Sequence, residues 1–153
     1  VPGCWSKSSK SIVFTSNRDS DYKTLKMTPA PREIYLVKVE TMQVINLTNN
    51  SGDDYNPVVS PDANKILFLS DRNSEPRKYY SHIFVMKSTG KDVVEITDID
   101  GDKSNISWSR DGSEILFQVN SGGTDYIYIT DIKGKNKPFL LSEGFSPQWC
   151  QKQ

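Results

Sequence analysis

The chain is short of the residues from which most catalytic and metal sites are built. Its 153 residues hold one histidine and two cysteines. Cys4 and Cys150 stand near opposite ends, too few for a disulfide scaffold and without metal-ligand spacing. Nineteen Lys and Arg balance 19 Asp and Glu, so the formal net charge is zero. That gives no support for nucleic acid or an anionic lipid surface, both of which select a basic excess. No run of 18 apolar residues is present, so no membrane span is expected. No ten-residue amphipathic helical pattern occurs, which argues against serial αβ units. The sequence begins with Val and shows no signal peptide, as a processed chain or a piece of a longer one would. Apolar residues are only 35%, but seven Tyr, six Phe and three Trp supply large surfaces to bury. Their regular short runs argue against disorder.

What is present is a repeat. One segment recurs as Gly3-Cys4-Trp5-Ser6, Pro57-Val58-Val59-Ser60-Pro61-Asp62, Ile106-Ser107-Trp108-Ser109-Arg110-Asp111-Gly112 and Pro147-Gln148-Trp149-Cys150. The aligned apolar positions are Trp5, Val59, Trp108 and Trp149, spaced 54, 49 and 41 residues apart. Units of that length cannot bury their own faces and stack on their neighbours. After each segment comes a short run rich in Ile, Val and Phe: 11–16, 65–70 and 114–119. Such runs are strand-like and too short for helices. Pro61-Asp62 and Asp111-Gly112 precede two of them and predict hairpin turns. Third strands are expected at 33–37, 82–86 and 125–129, and fourth, edge-type strands at 43–48, 93–97 and 138–142.

Four antiparallel strands per 40–50 residues describe a propeller blade. A sandwich of about 12 strands would satisfy the strand count, but not the return of the same turn chemistry in each unit. The connections repeat as well: Gly52 matches Gly101, Asp53 matches Asp102 and Asn56 matches Asn105. The expected fold is therefore all-β. It has three four-stranded blades, at about 1–48, 55–97 and 104–142, with a further innermost strand at 145–149.

These units resemble the TolB-like, WD40-like (PD40) repeats. Their pattern is Pro-x-Trp-Ser-Pro-Asp-Gly, then Ile-x-Phe-x-Ser, Asp-Arg, Ile-Tyr-Val and a closing Leu-Thr. Residues Pro57–Thr97 follow it closely, including Ser70-Asp71-Arg72, with Val59 for Trp and Ala63-Asn64 disturbing the turn. Residues Ser107–Ser142 keep Trp108-Ser109 and Asp111-Gly112 but have Asn120-Ser121 in place of Asp-Arg. Residues Gly3–Thr48 keep Trp5-Ser6, Ile12, Phe14 and Asn17-Arg18. The resemblance implies a part of a larger propeller of six or more blades, and a periplasmic or extracellular setting. It is compatible with a noncatalytic protein-contact module and with the propeller of a peptidase-type hydrolase. A carbohydrate-binding module is a third reading.

Three blades are too few for an ordinary closed ring, so the two flanks should be apolar and covered by protein. The cover could be remaining blades of a longer chain, a second copy, or a partner subunit. Trp5, Val59, Trp108 and Trp149 are expected between blades, not in a ligand groove. Arg18 and Arg72 are expected to tie loops down against carboxylates or carbonyls. His82, the single histidine, precedes a strand and lacks a Gly-x-Ser-x-Gly elbow, so a strand-edge role is expected. Asp98, Asp100 and Asp102, with Asn105, form an oxygen-rich loop that could hold Ca²⁺. They lack EF-hand spacing, and a solvated turn is the simpler reading. The variable second loops hold Tyr22, Leu25 and Met27 in blade 1 and Arg77, Tyr79 and Tyr80 in blade 2, residue types common in protein interfaces. Three Asn-x-Ser/Thr sequons begin at Asn46, Asn49 and Asn105. In a regular arc Cys4 and Cys150 lie too far apart for a disulfide within one chain.

Overall fold

The computed structural model describes residues 4–5, 10–19, 30–73, 80–97, 99–133 and 136–150. The described residues hold twelve strands and no helix. The first sheet contains β1 (Cys4–Trp5), β2 (Ser11–Ser16), β3 (Glu33–Lys38) and β4 (Val44–Asn46). The second contains β5 (Asp54–Val59), β6 (Lys65–Ser70), β7 (His82–Lys87) and β8 (Val94–Glu95). The third contains β9 (Asp102–Trp108), β10 (Glu114–Ser121), β11 (Thr124–Asp131) and β12 (Phe139–Glu143). Each sheet is antiparallel and pairs its strands in chain order. The chain is part of a β-propeller, and the sheets are its blades 1, 2 and 3.

The period of two in each strand decides which blade a side chain meets. In β6, Ile66 and Phe68 face blade 1, whereas Leu67 and Leu69 face blade 3. In β7, Phe84 and Met86 join the first set, and Ile83 and Val85 the second. The core between blades 1 and 2 adds Val13, Ile34 and Leu47. The core between blades 2 and 3 adds Ile106, Trp108, Ile115, Phe117 and Val119. Fully burying one such side chain is worth about 1.5–3 kcal/mol, so each blade depends on the next for its stability.

Every blade has one stacked aromatic pair across its second and third strands. Phe14–Tyr35, Phe68–Phe84 and Phe117–Tyr128 all have ring centroids 5.7 Å apart. The second and third pairs lie in the inter-blade cores.

The first hairpin turns of blades 2 and 3 share one hydrogen-bond design. Ser60 Oγ donates to Asp62 Oδ1 (2.5 Å), and Lys65 N donates back to Ser60 Oγ (2.9 Å). Ser109, Asp111 and Glu114 repeat this at 2.7 and 2.9 Å. These bonds hold the carboxyls of Asp62 and Asp111 at a pKa of about 2. Gly112 takes φ +72° in this turn, and Ala63 is forced to φ 62° in the other.

The connections between blades start the inner strand earlier than the sequence pattern indicates. Asp54–Tyr55 and Asp102–Ser104, expected in the connection, already pair with β6 and β10. Asn56 and Asn105 sit at matching register shifts with φ 59° and 50°, a conformation Asn tolerates, so the ladder hides a bulge that the sequence shows only as a shared Asn. Gly52 and Gly101 mark close approaches: a Cβ on Gly52 would lie 2.9 Å from the Arg72 backbone, and one on Gly101 2.6 Å from Asn120 O.

The fourth strands of blades 1 and 2 are shorter than expected. Val44, Val93 and Val94 are exposed on this outer edge, where little packing prolongs the ladder. Residues 145–149, expected as a further innermost strand, are irregular. A lone inner strand has no second strand of its blade in this chain to pair with. Ser146 N instead donates to Gln118 Oε1 (2.9 Å). Cys150 is exposed and free; of Cys4 only the backbone is described.

Candidate interaction face

One end of the array collects the second-to-third-strand loops and the connections between blades. Here β3, β5 and β7 begin, and β2, β6 and β10 end. At this end of blades 1 and 2 lies a buried polar network. Asp54 is 0% exposed; its Oδ2 accepts from Arg72 Nη2 and from Asn50 Nδ2, both at 2.7 Å, while Oδ1 has no partner among the described residues. Asn50 N donates to Glu33 Oε1 (3.0 Å), and Thr48 Oγ1 donates to Glu33 Oε2 (2.7 Å). Burial raises the Glu33 pKa, and the Thr48 and Asn50 hydrogen bonds oppose that shift.

Arg72 is held twice more. Its guanidinium lies 5.1 Å from the Phe68 ring and 5.0 Å from the Phe84 ring, and its N and Nε donate to Ser70 Oγ. Arg32 forms a second fork at the blade boundary, donating from N, Nε and Nη2 to the Asp53 carboxylate and lying 4.3 Å from the Tyr55 ring. The Asp53 hydrogen bond raises its pKa above the usual arginine value.

Blade 3 differs at the same place. By strand register Lys103 occupies the position of Asp54, and Ser121 that of Arg72. Lys103 is 4% exposed and donates to Ile99 O. An amide network replaces the ion pair: Gln118 Nε2 and Asn120 Nδ2 each donate to Asp125 Oδ1 at 2.9 Å, which lowers the Asp125 pKa.

The remaining sequence candidates fall as follows. Trp108 is 7% exposed in the blade 2–3 core, and its indole N–H donates to Val58 O at 2.9 Å. Val59 is half-buried against the blade 1–2 core. Trp149 is half-buried in the irregular C-terminal segment, with its Nε1 buried and without a partner among the described residues. The side chain of Trp5 lies outside the described residues. Arg18 stacks on Phe14 and Tyr35 but is exposed. His82 Nδ1 lies 2.7 Å from Glu95 Oε1 and 3.1 Å from Thr97 O, both acceptors, so this nitrogen carries the proton.

Tyr22, Leu25, Met27, Arg77, Tyr79 and Asp98 lie outside the described residues; Tyr80 is described and half-buried. Asp100 and Asp102 are exposed, and no group of three metal-binding side chains occurs among the described residues. Glu33, Asn50 and Asp54 escape a motif-by-motif reading. Their signal is the paired change between blades 2 and 3, in which Asp54 becomes Lys103 as Arg72 becomes Ser121.

The outer strand of blade 3 and the segment after it are apolar. Phe139, Leu140, Leu141 and Phe145 are 45–75% exposed along and beyond β12. On the free face of blade 3, which Phe139 shares through its pairing with Ile129, Leu116, Ile127 and Ile129 occupy the places at which Leu67, Ile83 and Val85 of blade 2 meet blade 3. An open hollow of about 410 Å³ at the other end of blade 3 is lined by Ser113, Asp131, Ile132, Lys133 and Asn136.

No family model matches the chain. Over 87 residues, 57% of its length, it is 31% identical to the Tol-Pal system protein TolB of Ruthia magnifica, of which it covers 20%. Over 89 residues it is 29% identical to the uncharacterized peptidase YuxL of Bacillus subtilis, of which it covers 13%. The chain thus spans a fifth or less of these relatives. Among solved structures, TolB of Acinetobacter baumannii matches 92% of this chain with a TM-score of 0.69 and 24% identity, the match covering 32% of that protein. Dipeptidyl peptidase 4 of Porphyromonas gingivalis matches 92% with a TM-score of 0.67 and 13% identity, over 18% of its own chain. At these identities the solved structures show the fold alone, a β-propeller. No helix among the described residues is long and apolar enough to cross a membrane.

Proposed function

We propose that this chain is a noncatalytic propeller module that works through protein contacts in the periplasm or outside the cell. The observation that carries this reading is the bare flank of blade 3. There Ile127 and Ile129, half-buried, hold the places at which Ile83 and Val85 bury blade 2 against blade 3, and Phe139, which pairs with Ile129, stands exposed beside them. Apolar faces of that kind mark association surfaces, and each Å² covered is worth about 25 cal/mol. The likeness to the Tol-Pal system protein supports a place in a protein assembly.

Light scattering across a dilution series tests the reading. The chain should associate at micromolar concentration, and Leu141→Asp with Phe139→Asp should leave it monomeric. A well-folded micromolar monomer without those changes would reject the proposal. The second reading, a propeller that gates or positions substrate for a peptidase, is favoured by the likeness to YuxL. In that case the native polypeptide should be much longer and should hydrolyse chromogenic peptides, with the catalytic groups on its other domain.

A further inference from the structure

The outer strands of the three blades are not alike. β4 holds three residues and β8 two, and Glu95 of β8 is tied to His82 and Asn73. β12 runs for five residues, all exposed, with Phe139, Leu140 and Leu141 in a row. An exposed apolar edge strand is a template for pairing with another chain. The ladder shows which of its backbone groups are open. Gly144 N donates to Asp125 O, so Asp125, Ile127 and Ile129 of β11 turn their N–H and C=O toward β12, and Tyr126 and Tyr128 turn theirs toward β10. Leu140 and Glu143 pair with those two tyrosines, so their own N–H and C=O face the open edge. The two charges of this stretch stand at its ends, Lys137 before the strand and Glu143 at its close. Both are exposed, and neither forms an ion pair among the described residues.

We infer that β12 pairs with β12 of a second copy of this chain, antiparallel and about a two-fold axis at Leu140. The inference rests on the reading of this chain as a protein-contact module. In this register Leu140 exchanges both backbone hydrogen bonds with Leu140 of the second copy, and Phe139 lies against Leu141. The extra residue at Leu141 brings Glu143 of the second copy opposite Pro138, whose carbonyl can accept although it has no N–H to give. Lys137 then stands beside Glu143 of the second copy, and symmetry repeats that contact at the other end. A parallel pairing would instead set Lys137 against Lys137 and Glu143 against Glu143. The contact is isologous, so it closes at two copies.

The test is sedimentation of the whole chain at low ionic strength, where charge pairs are least screened. The unaltered chain should show a monomer–dimer equilibrium and nothing larger. Lys137→Glu and Glu143→Lys should each weaken the dimer about ten-fold by setting like charges together at both ends. An equimolar mixture of the two variants, or the double variant, should regain the original affinity. Leu140→Pro removes an outward N–H that β11 does not use, and should abolish the dimer while the monomer melts much as before. If Leu140→Pro fails to fold, the charge variants decide alone. Association that ignores the charge variants, yet is lost in Phe139→Asp with Leu141→Asp, would overturn the β12 pairing and leave the protein-contact reading standing; so would an assembly larger than two. A well-folded monomer at micromolar concentration would leave this edge to a different polypeptide and overturn both.

Discussion

Blade 2 and blade 3 have the same strand plan and differ in what covers them. Ile83–Met86 of β7 are all buried, because blade 1 lies on one face and blade 3 on the other. Blade 3 is covered on one face only among the described residues, and Ile127–Ile129 of β11, the counterparts of Ile83–Val85, are only half-buried. Similar sequences therefore reach different burial through position in the array. Stability in such a chain is a property of interfaces as much as of blades.

The largest break is expected at the covered face. Trp108→Ala removes the ring that fills the blade 2–3 core and its hydrogen bond to Val58. It should cost about 3–5 kcal/mol in chemical denaturation. A cost below about 1 kcal/mol would mean the interface does not depend on this residue.

The polar ends of the two blades can be exchanged. Arg72→Ser alone leaves the Asp54 carboxylate buried without its cation and should cost about 3 kcal/mol. Adding Asp54→Lys copies the blade 3 combination of Lys103 and Ser121, in which Lys103 donates to Ile99 O, and should recover a good part of that loss. If the double variant is no better than Arg72→Ser, the two positions are not coupled.

A smaller contrast lies in the hairpin turns. Ala63 holds a left-handed conformation that Gly112 adopts freely, and nothing but Pro61 Cδ, at 3.6 Å, lies near the Gly112 Cβ position. Ala63→Gly should stabilise by about 1 kcal/mol and Gly112→Ala should destabilise by a similar amount, both measurable from denaturation midpoints.

The smallest effect shared by the two blades is acid sensitivity. Asp62 and Asp111 ionise near 2 in the folded chain, against 3.8 for an unperturbed aspartate. Their contribution is present above about pH 4 and is lost as pH falls toward about 2. Glu33, whose pKa is raised, acts in the opposite direction. Comparing the chain with its Asp62→Asn, Asp111→Asn variant isolates the turns, and the two melting curves should converge as pH drops through that window.

Much of the fold was legible because blades repeat. Trp108, Phe68, Phe117 and the Asp111-Gly112 turn return at fixed places, and strand alternation does the rest. The bulges at Asn56 and Asn105 and the early start of β5 and β9 were not. A left-handed Asn and a polar inner strand look like a loop when read locally. The Glu33–Asn50–Asp54–Arg72 network was hidden for another reason: its members come from two blades, and each alone resembles an ordinary turn residue. At the C-terminal segment, pattern and structure part because a strand signal at 145–149 cannot supply its own ladder partner.

Native-state hydrogen exchange, run at two protein concentrations, tests the dependence of each blade on its neighbours most directly. Amides of β6 and β7 should exchange slowest, only through global opening, while those of β11 and β12 exchange sooner by local opening. Protection of β11 and β12 should rise with concentration as the bare flank is covered. Equal protection of β6 and β12, unchanged on dilution, would contradict the account.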